Sequence, residues 1–123
     1  MLSIQALTGR HDRNAFDSAS EQLDAWLRHT ARQHQRRGIS KTFVAVSDGE
    51  PARILGYYAL TACEVLTGGL PEDLAKKLPR KIPGIRLGRL AVDRSVQGQG
   101  LGEHLLMDAI ERARLVLTHK SVI

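Results

Sequence analysis

A chain of 123 residues accommodates one domain, and a hydrophobic content of 42% is enough to give it a core. No run approaches the ~20 apolar residues of a membrane-spanning helix, the N-terminus has no signal-peptide pattern, and the single cysteine, Cys63, excludes an intramolecular disulfide and a cysteine-rich metal site. A net charge of +5 and a pI near 9.9 suit a partner that carries phosphate, whereas 4% aromatic residues argue against a base-stacking surface for single strands; a cytoplasmic protein is the expectation.

Residues 18–37 predict the first long helix. Ser18 and Glu21 fit a capping box, and Leu23, Trp26, Leu27 and Ala31 share one face at helical spacing, which marks Trp26 as core. Gly38 follows as the stop. Arg28, Arg32 and Arg36 recur every four residues beside that face, and Arg37 and Lys41 extend the basic stripe. "KTFVAVS" (41–47) and "ILGYYALTACEVL" (54–66) predict strands, with Gly56 marking a bulge in the second. A proline-rich stretch carries a short helix over 71–78 and a second basic cluster: Lys76, Lys77, Arg80, Lys81, Arg86 and Arg89. "IRLGRLAVD" (85–93) predicts a strand and residues 100–116 a helix with Leu101, Leu105, Leu106, Ala109, Ile110 and Ala113 on its apolar face. This order predicts an α/β (α+β) fold, a mixed central sheet flanked by helices.

Between that strand and helix lies "DRSVQGQGLG", with Gly98, Gly100 and Gly102 inside five residues. A helix N-terminus exposes unpaired N–H groups and a partial positive charge. Glycines there remove Cβ atoms and permit positive φ, so a phosphate can approach the main chain; Arg94 adds a charge nearby. A Walker loop needs Gly-Lys-Ser/Thr after the turn, and Gly102-Glu103 supplies no lysine. A dinucleotide fingerprint needs G-x-G-x-x-G, and the spacing here is G-x-G-x-G. The plain alternative is a glycine turn that only packs a strand against a helix.

Gln97-Gly98-Gln99-Gly100-Leu101-Gly102 resembles the Q/R-x-x-G-x-G/A motif of the GNAT superfamily of N-acetyltransferases. "LDAWLRHTARQHQRRGISKTFVAV", "ILGYYALTA" and "LGRLAVDRSVQGQGLG" extend the likeness over nearly the whole chain, to the GNAT toxins of bacterial toxin–antitoxin pairs. The resemblance implies acetyl-CoA as co-substrate and no metal. It places the pyrophosphate on Gln97, Gly98, Gln99, Gly100, Leu101 and Gly102, and the pantetheine arm along Leu90, Ala91 and Val92. It further implies acetylation of the α-amino group of an aminoacyl-tRNA, which blocks translation. The implied partner is a ribbon-helix-helix antitoxin through which alone operator DNA is bound. Arg28, Arg32, Arg36, Arg80, Lys81 and Arg89 become candidates for contacts to tRNA phosphates, against the plainer reading of solvated faces.

In that subgroup the general acid is a tyrosine in a C-terminal phenylalanine-tyrosine segment. Tyr57 and Tyr58 lie upstream of the motif and do not correspond to it, so the catalytic tyrosine is expected beyond residue 123. The expectation is therefore a single GNAT domain over 1–123 that lacks its C-terminal strands, leaves a strand edge open and is catalytically silent by itself. Two other functions fit the residues: a binding module that engages the antitoxin or forms a homodimer, and a GNAT enzyme acting on a small-molecule or protein amine. GNAT enzymes often place a general-base glutamate on a central strand, which makes Glu64 a lesser candidate. Cys63 reads as a packed small hydrophobe. His11, His29, His34, His104 and His119 show no ligand spacing.

Overall fold

The computed structural model describes residues 1–119, the side chain of His119 excepted; the tail at 120–123 lies outside the described residues. The chain runs β1 (Leu2–Ala6), α1 (Glu21–His29), α2 (Ala31–Arg36), β2 (Lys41–Ser47), β3 (Gly56–Leu66), α3 (Glu72–Ala75), β4 (Lys81–Val92) and α4 (Leu101–His119). The strands form one sheet in the order β1-β2-β3-β4, and every pairing among them is antiparallel. The parallel pair that makes a sheet mixed therefore does not come from these four strands.

Strand β2 shows why the apolar run "FVAV" is continuous. Successive side chains point to opposite faces of a sheet, and both faces are covered. Val44 and Val46 join Leu7, Phe16, Trp26, Leu27, Ala31 and Tyr57 in the core under α1 and α2. Phe43 and Ala45 join Tyr58, Leu101, Leu105 and Ala109 in the core under α4. The result is three layers, with helices on both sides of the sheet and Trp26 in the core as expected.

Several local expectations are corrected. No element was expected before residue 18, yet β1 pairs with β2 from Leu2↔Ser47 to Ala6↔Phe43; five residues are too short to show a period. The N-cap of α1 is Ser20, whose Oγ accepts from the Leu23 N–H at 3.3 Å, whereas the Ser18 hydroxyl donates to Asp24 at 2.7 Å. The single helix expected over 18–37 is two helices broken at Thr30, where φ is −120°. There the Arg13 guanidinium donates to the Arg28 carbonyl at 2.9 Å. A side chain bonded into the helical ladder is a recognised cause of such a break. Gly38 ends α2 at φ +72°, as expected.

Strand β4 starts at Lys81 rather than 85, because its first residues pair with the end of β3 in an arm that runs past β2. Pro83 is tolerated there because β4 pairs on one side only among the described strands. The helix expected over 71–78 is the single turn of α3.

Gly56 is not the bulge; the β3–β4 register shifts between Ala59 and Leu60. A Cβ at Gly56 would lie 2.8 Å from Leu105 Cδ1 and 3.2 Å from the Ala91 carbonyl, so the glycine lets α4 settle on the sheet. Gly56→Ala is expected to destabilise the fold by about 1–3 kcal/mol through overpacking, read as a lowered midpoint in urea with an unchanged slope. An unchanged midpoint would show that α4 is free to shift.

Candidate active site

The corner between β4 and α4 is built from the backbone outward. After Val92 the Asp93 N–H donates to the Leu55 carbonyl at 2.8 Å, which anchors the chain beside β3. One 3-10 turn follows, Arg94–Val96, and then the glycine run. Gly98 and Gly100 have φ of +81° and +84°, a conformation that other residues rarely adopt, and a Cβ at either would meet nothing within 4 Å. Both positions therefore need glycine for the turn itself, not for clearance from protein atoms. Gly102 differs: a Cβ there would touch only Val92, at 3.8 Å, an ordinary contact.

The first bond of α4 runs from the His104 N–H to the Gly100 carbonyl at 3.1 Å. The N–H groups of Leu101, Gly102 and Glu103 thus have no acceptor within the helix and converge with its positive dipole end. A cavity of about 280 Å³ opens beside them, lined by Leu2, Leu55, Val96, Gln99, Gly100, Leu101 and His104. Unpaired amides, a positive helix end and open space above glycines make an anion receptor.

Asp93, Ser95 and Asp17, which sequence reasoning passed over, hold this corner together with Arg94, which was expected there as a charge. Asp93 is 6% exposed. One carboxylate oxygen accepts from the Ser95 N–H at 3.0 Å and hydroxyl at 2.7 Å, and the other from the Asp17 N–H at 3.0 Å. Burial by itself pushes this carboxyl up. The N–H groups of Ser95 and Asp17, the Ser95 hydroxyl and the Arg53 guanidinium outweigh it and hold Asp93 below the usual carboxylate range. The Arg94 N–H donates to the Asp17 carbonyl at 2.8 Å, and its guanidinium pairs with the Asp17 carboxylate at 3.1 Å. Arg94 therefore braces the loop before the corner. The only signal in the sequence was Asp-x-Ser directly after a strand, a capping pattern.

Among the residues expected to hold a cofactor, Gly98, Gln99, Gly100, Leu101 and Gly102 come together at the corner. The Gln97 side chain turns back into the protein, its amide donating to the carbonyls of Val92 at 2.9 Å and Ser18 at 3.0 Å. The Val92 carbonyl is thereby occupied. Ala91 packs into the core under α1, while Leu90 and Val92 lie against the core under α4.

The basic candidates fall into two groups. Arg28 pairs with Glu21 at 2.7 Å, Arg36 is exposed on α2, and Arg89 lies 4.5 Å from the Trp26 ring, which brings β4 to the side of α1. Arg32 sits by the backbone of Gly9. Arg80 and Lys81 occupy the β3–β4 arm, with Lys81 3.9 Å from Glu64. Glu64 is exposed on that arm and Cys63 is half-buried.

Tyr57 and Tyr58 are fully buried. The Tyr57 hydroxyl donates to the Leu23 carbonyl at 2.8 Å and that of Tyr58 to Asp108 at 2.5 Å; burial pushes both phenols up. Both hydroxyls are thus engaged inside the fold. His11 is buried too, its Nδ1 accepting from the Thr8 N–H at 3.0 Å. No helix among the described residues is long and apolar enough to cross a membrane.

The sequence profile of the Acetyltransferase (GNAT) family matches residues 9–121. A tRNA-acetylating toxin of Mycobacterium tuberculosis is 43% identical over 101 residues, which is 82% of this chain and 59% of that protein. A solved structure of AtaT complexed with acetyl-methionyl-tRNAfMet superposes with a TM-score of 0.81 at 33% identity, covering 90% of this chain and 68% of that one. A mutant AtaT toxin bound to the C-terminus of the antitoxin AtaR and acetyl-CoA superposes with a TM-score of 0.75 at 30% identity, over 95% and 69% of the two chains. The chain spans about three fifths of the length of the curated relatives that it matches.

Proposed function

The chain belongs to the acetyltransferase (GNAT) family, and from that premise we propose that it binds acetyl-CoA as an N-acetyltransferase toxin whose substrate is the α-amino group of an aminoacyl-tRNA. The observation that carries this reading is the corner at 97–102. Its glycines meet no protein atom that would exclude a Cβ at 98 or 100, and its amides lack intrahelical acceptors. That geometry fits a pyrophosphate.

In the proposed mechanism the N–H groups of residues 98–103 and the N-terminus of α4 hold the pyrophosphate, with no lysine needed. The edge of β4 at Leu90–Val92 is assigned to the pantetheine arm, through main-chain groups other than the Val92 carbonyl that Gln97 holds. Acetyl-CoA, when bound, would supply the thioester that a neutral amine attacks: a C–N bond forms, the C–S bond breaks, the nitrogen releases one proton to solvent and the thiolate leaves. The acid that protonates this thiolate is assigned to neither Tyr57 nor Tyr58, whose hydroxyls are sealed inside the fold. Arg28, Arg32, Arg36 and Arg89 on one side, with Arg80 and Lys81 on the arm, are assigned to tRNA phosphates.

The proposed partner is a ribbon-helix-helix antitoxin that also carries the complex to operator DNA, and the proposed location is the cytoplasm. A second reading is favoured by the burial of both tyrosines: by itself the 123-residue chain is silent in catalysis and acts by binding the antitoxin or a second copy of itself.

Titration calorimetry of the 123-residue chain with acetyl-CoA, followed by incubation with acetyl-labelled acetyl-CoA and charged tRNA, tests both. Binding is expected, with label entering the aminoacyl group under the first reading and no turnover under the second. Absence of binding overturns the reading of the corner. Label on free amines or proteins rather than tRNA overturns the substrate. Weakening of tRNA binding with rising salt is the expected mark of phosphate contacts.

A further inference from the structure

Arg89 on β4 is a half-buried cation without an acidic partner. Its guanidinium carbon lies 4.5 Å from the centre of the Trp26 ring. Arg28, Arg53, Arg94, Arg112 and Arg114 each pair with a carboxylate, whereas among the described residues nothing accepts a hydrogen bond from Arg89. Taking a charge partly out of water without a partner costs free energy. Stacking on an indole face offsets part of that cost and leaves the N–H edge of the guanidinium free. Trp26 is itself fixed, stacked on Tyr57 with ring centres 6.1 Å apart and edge-on to His34 of α2 at 5.9 Å. Burial pushes the Tyr57 phenol up, Arg89 draws it down and Asp24 of α1 adds to the rise, which marks Tyr57 and Asp24 as the titratable groups around this guanidinium. Asp24 is already taken by the N–H and hydroxyl of Ser18.

The backbone sets where along β4 this cation stands. Arg89 pairs with Ala59 and Leu87 with Leu60, so Gly88 has no partner on β3, and a bulge of this kind re-aims the side chain beside it. Arg89 lies two residues before Ala91 and on the same face of the sheet, under α1. The glycine corner follows the opposite end of the strand, past Val92. A cofactor with its pyrophosphate at the corner and its pantetheine arm along Val92 to Leu90 runs backwards along β4. Its sulfur end then arrives beside Gly88 and Arg89.

We propose that Arg89 is a catalytic residue that faces the cofactor sulfur and stabilises the negative charge that develops there as the acetyl group leaves. The inference rests on the corner being the acetyl-CoA site, and it goes beyond a phosphate contact. A guanidinium carries five N–H donors, room for the sulfur as well as for a phosphate oxygen. In the transfer the amine nitrogen bonds to the acetyl carbon, the C–S electron pair goes to sulfur, and the nitrogen releases one proton to solvent. Arg89 stays charged throughout, because a guanidinium does not give up its proton in a protein; the thiolate takes its proton from solvent. A fixed cation aimed where charge develops needs no reorganisation at the moment of reaction.

The test needs no turnover. CoA labelled with carbon-13 next to its sulfur is bound to the 123-residue chain, and its chemical shift is followed against pH to read the ionisation of the thiol. Bound CoA is expected to ionise about tenfold more readily than free CoA. Arg89→Gln is expected to abolish that gain, and Arg89→Lys, which keeps the charge, to retain part of it. Arg37→Gln removes the same charge from the exposed end of α2 and is expected to change nothing. Fluorescence of Trp26, the single tryptophan, and the thermal midpoint check that each variant is folded. Should Arg89→Gln fail to fold, the wild type still decides, since equal ionisation of bound and free CoA overturns the inference. A gain that survives in Arg89→Gln overturns it too, as does one lost equally in Arg37→Gln. A wild-type chain that binds no CoA overturns the reading of the corner, and the inference with it, which keeps the two failures apart.

Discussion

Gly100→Val is expected to remove most acetyl-CoA binding while leaving the three-layer fold intact. At φ +84° a valine carries a strain of about 1–3 kcal/mol, and the chain escapes it only by rotating Gly100 to negative φ. Such a rotation re-aims the peptide that leads into α4 and with it the free N–H groups of Leu101 and Gly102. It also disturbs the carbonyl that accepts the first helical bond from His104. A penalty of that size corresponds to about a 5- to 150-fold loss of affinity. Calorimetry with acetyl-CoA measures it, and far-UV circular dichroism checks that helix content is retained. Wild-type affinity in Gly100→Val would mean that the corner only packs β4 against α4.

Asp93→Asn is expected to have the largest effect on stability among the site residues. The buried carboxylate accepts three hydrogen bonds, two from Ser95 and one from Asp17. An asparagine turns one acceptor into a donor, which then faces another donor. Hydrogen bonds to a charged group contribute about 1.5–3 kcal/mol, so a loss of about 2 kcal/mol at pH 7 is expected.

The pH dependence follows from the direction of the shift. The folded Asp93 carboxyl titrates below the usual range, and the unfolded one near ~3.9. Its contribution is therefore complete above the unfolded value and is lost as pH falls through the folded one. Urea midpoints from pH 7 to pH 2 are expected to show a steeper acid decline in the wild type than in Asp93→Asn, with the two curves converging at the acid end. Parallel curves would contradict a lowered Asp93.

The glycine corner was legible because its signals are local. A strand, a run of glycines and a helical apolar period lie within about thirty positions, and the N–H groups that can receive an anion belong to the backbone itself. Trp26 as core and Gly38 as a stop were legible for the same reason. The two-helix break at Thr30 was not, because its cause is Arg13, a side chain from another segment. Nor was the role of Gly56, whose constraint is Leu105 on a helix far along the chain. Gln97 was found as part of a motif. What its side chain touches, Ser18 and Val92, has no trace in spacing.

The sequence by itself determined the order of the main helices and strands, the continuous apolar run of β2 and the presence of a glycine turn at a helix N-terminus. Periodicity, capping and glycine chemistry act over a few residues and are written in the order of the chain. Only the tertiary structure decided that this turn is clamped to the loop before α1, that Arg94 braces this loop, and that Tyr57 and Tyr58 are sealed by Leu23 and Asp108. Those outcomes depend on which distant groups meet when the layers pack, and hydrogen bonds across that distance carry no period for a sequence to display.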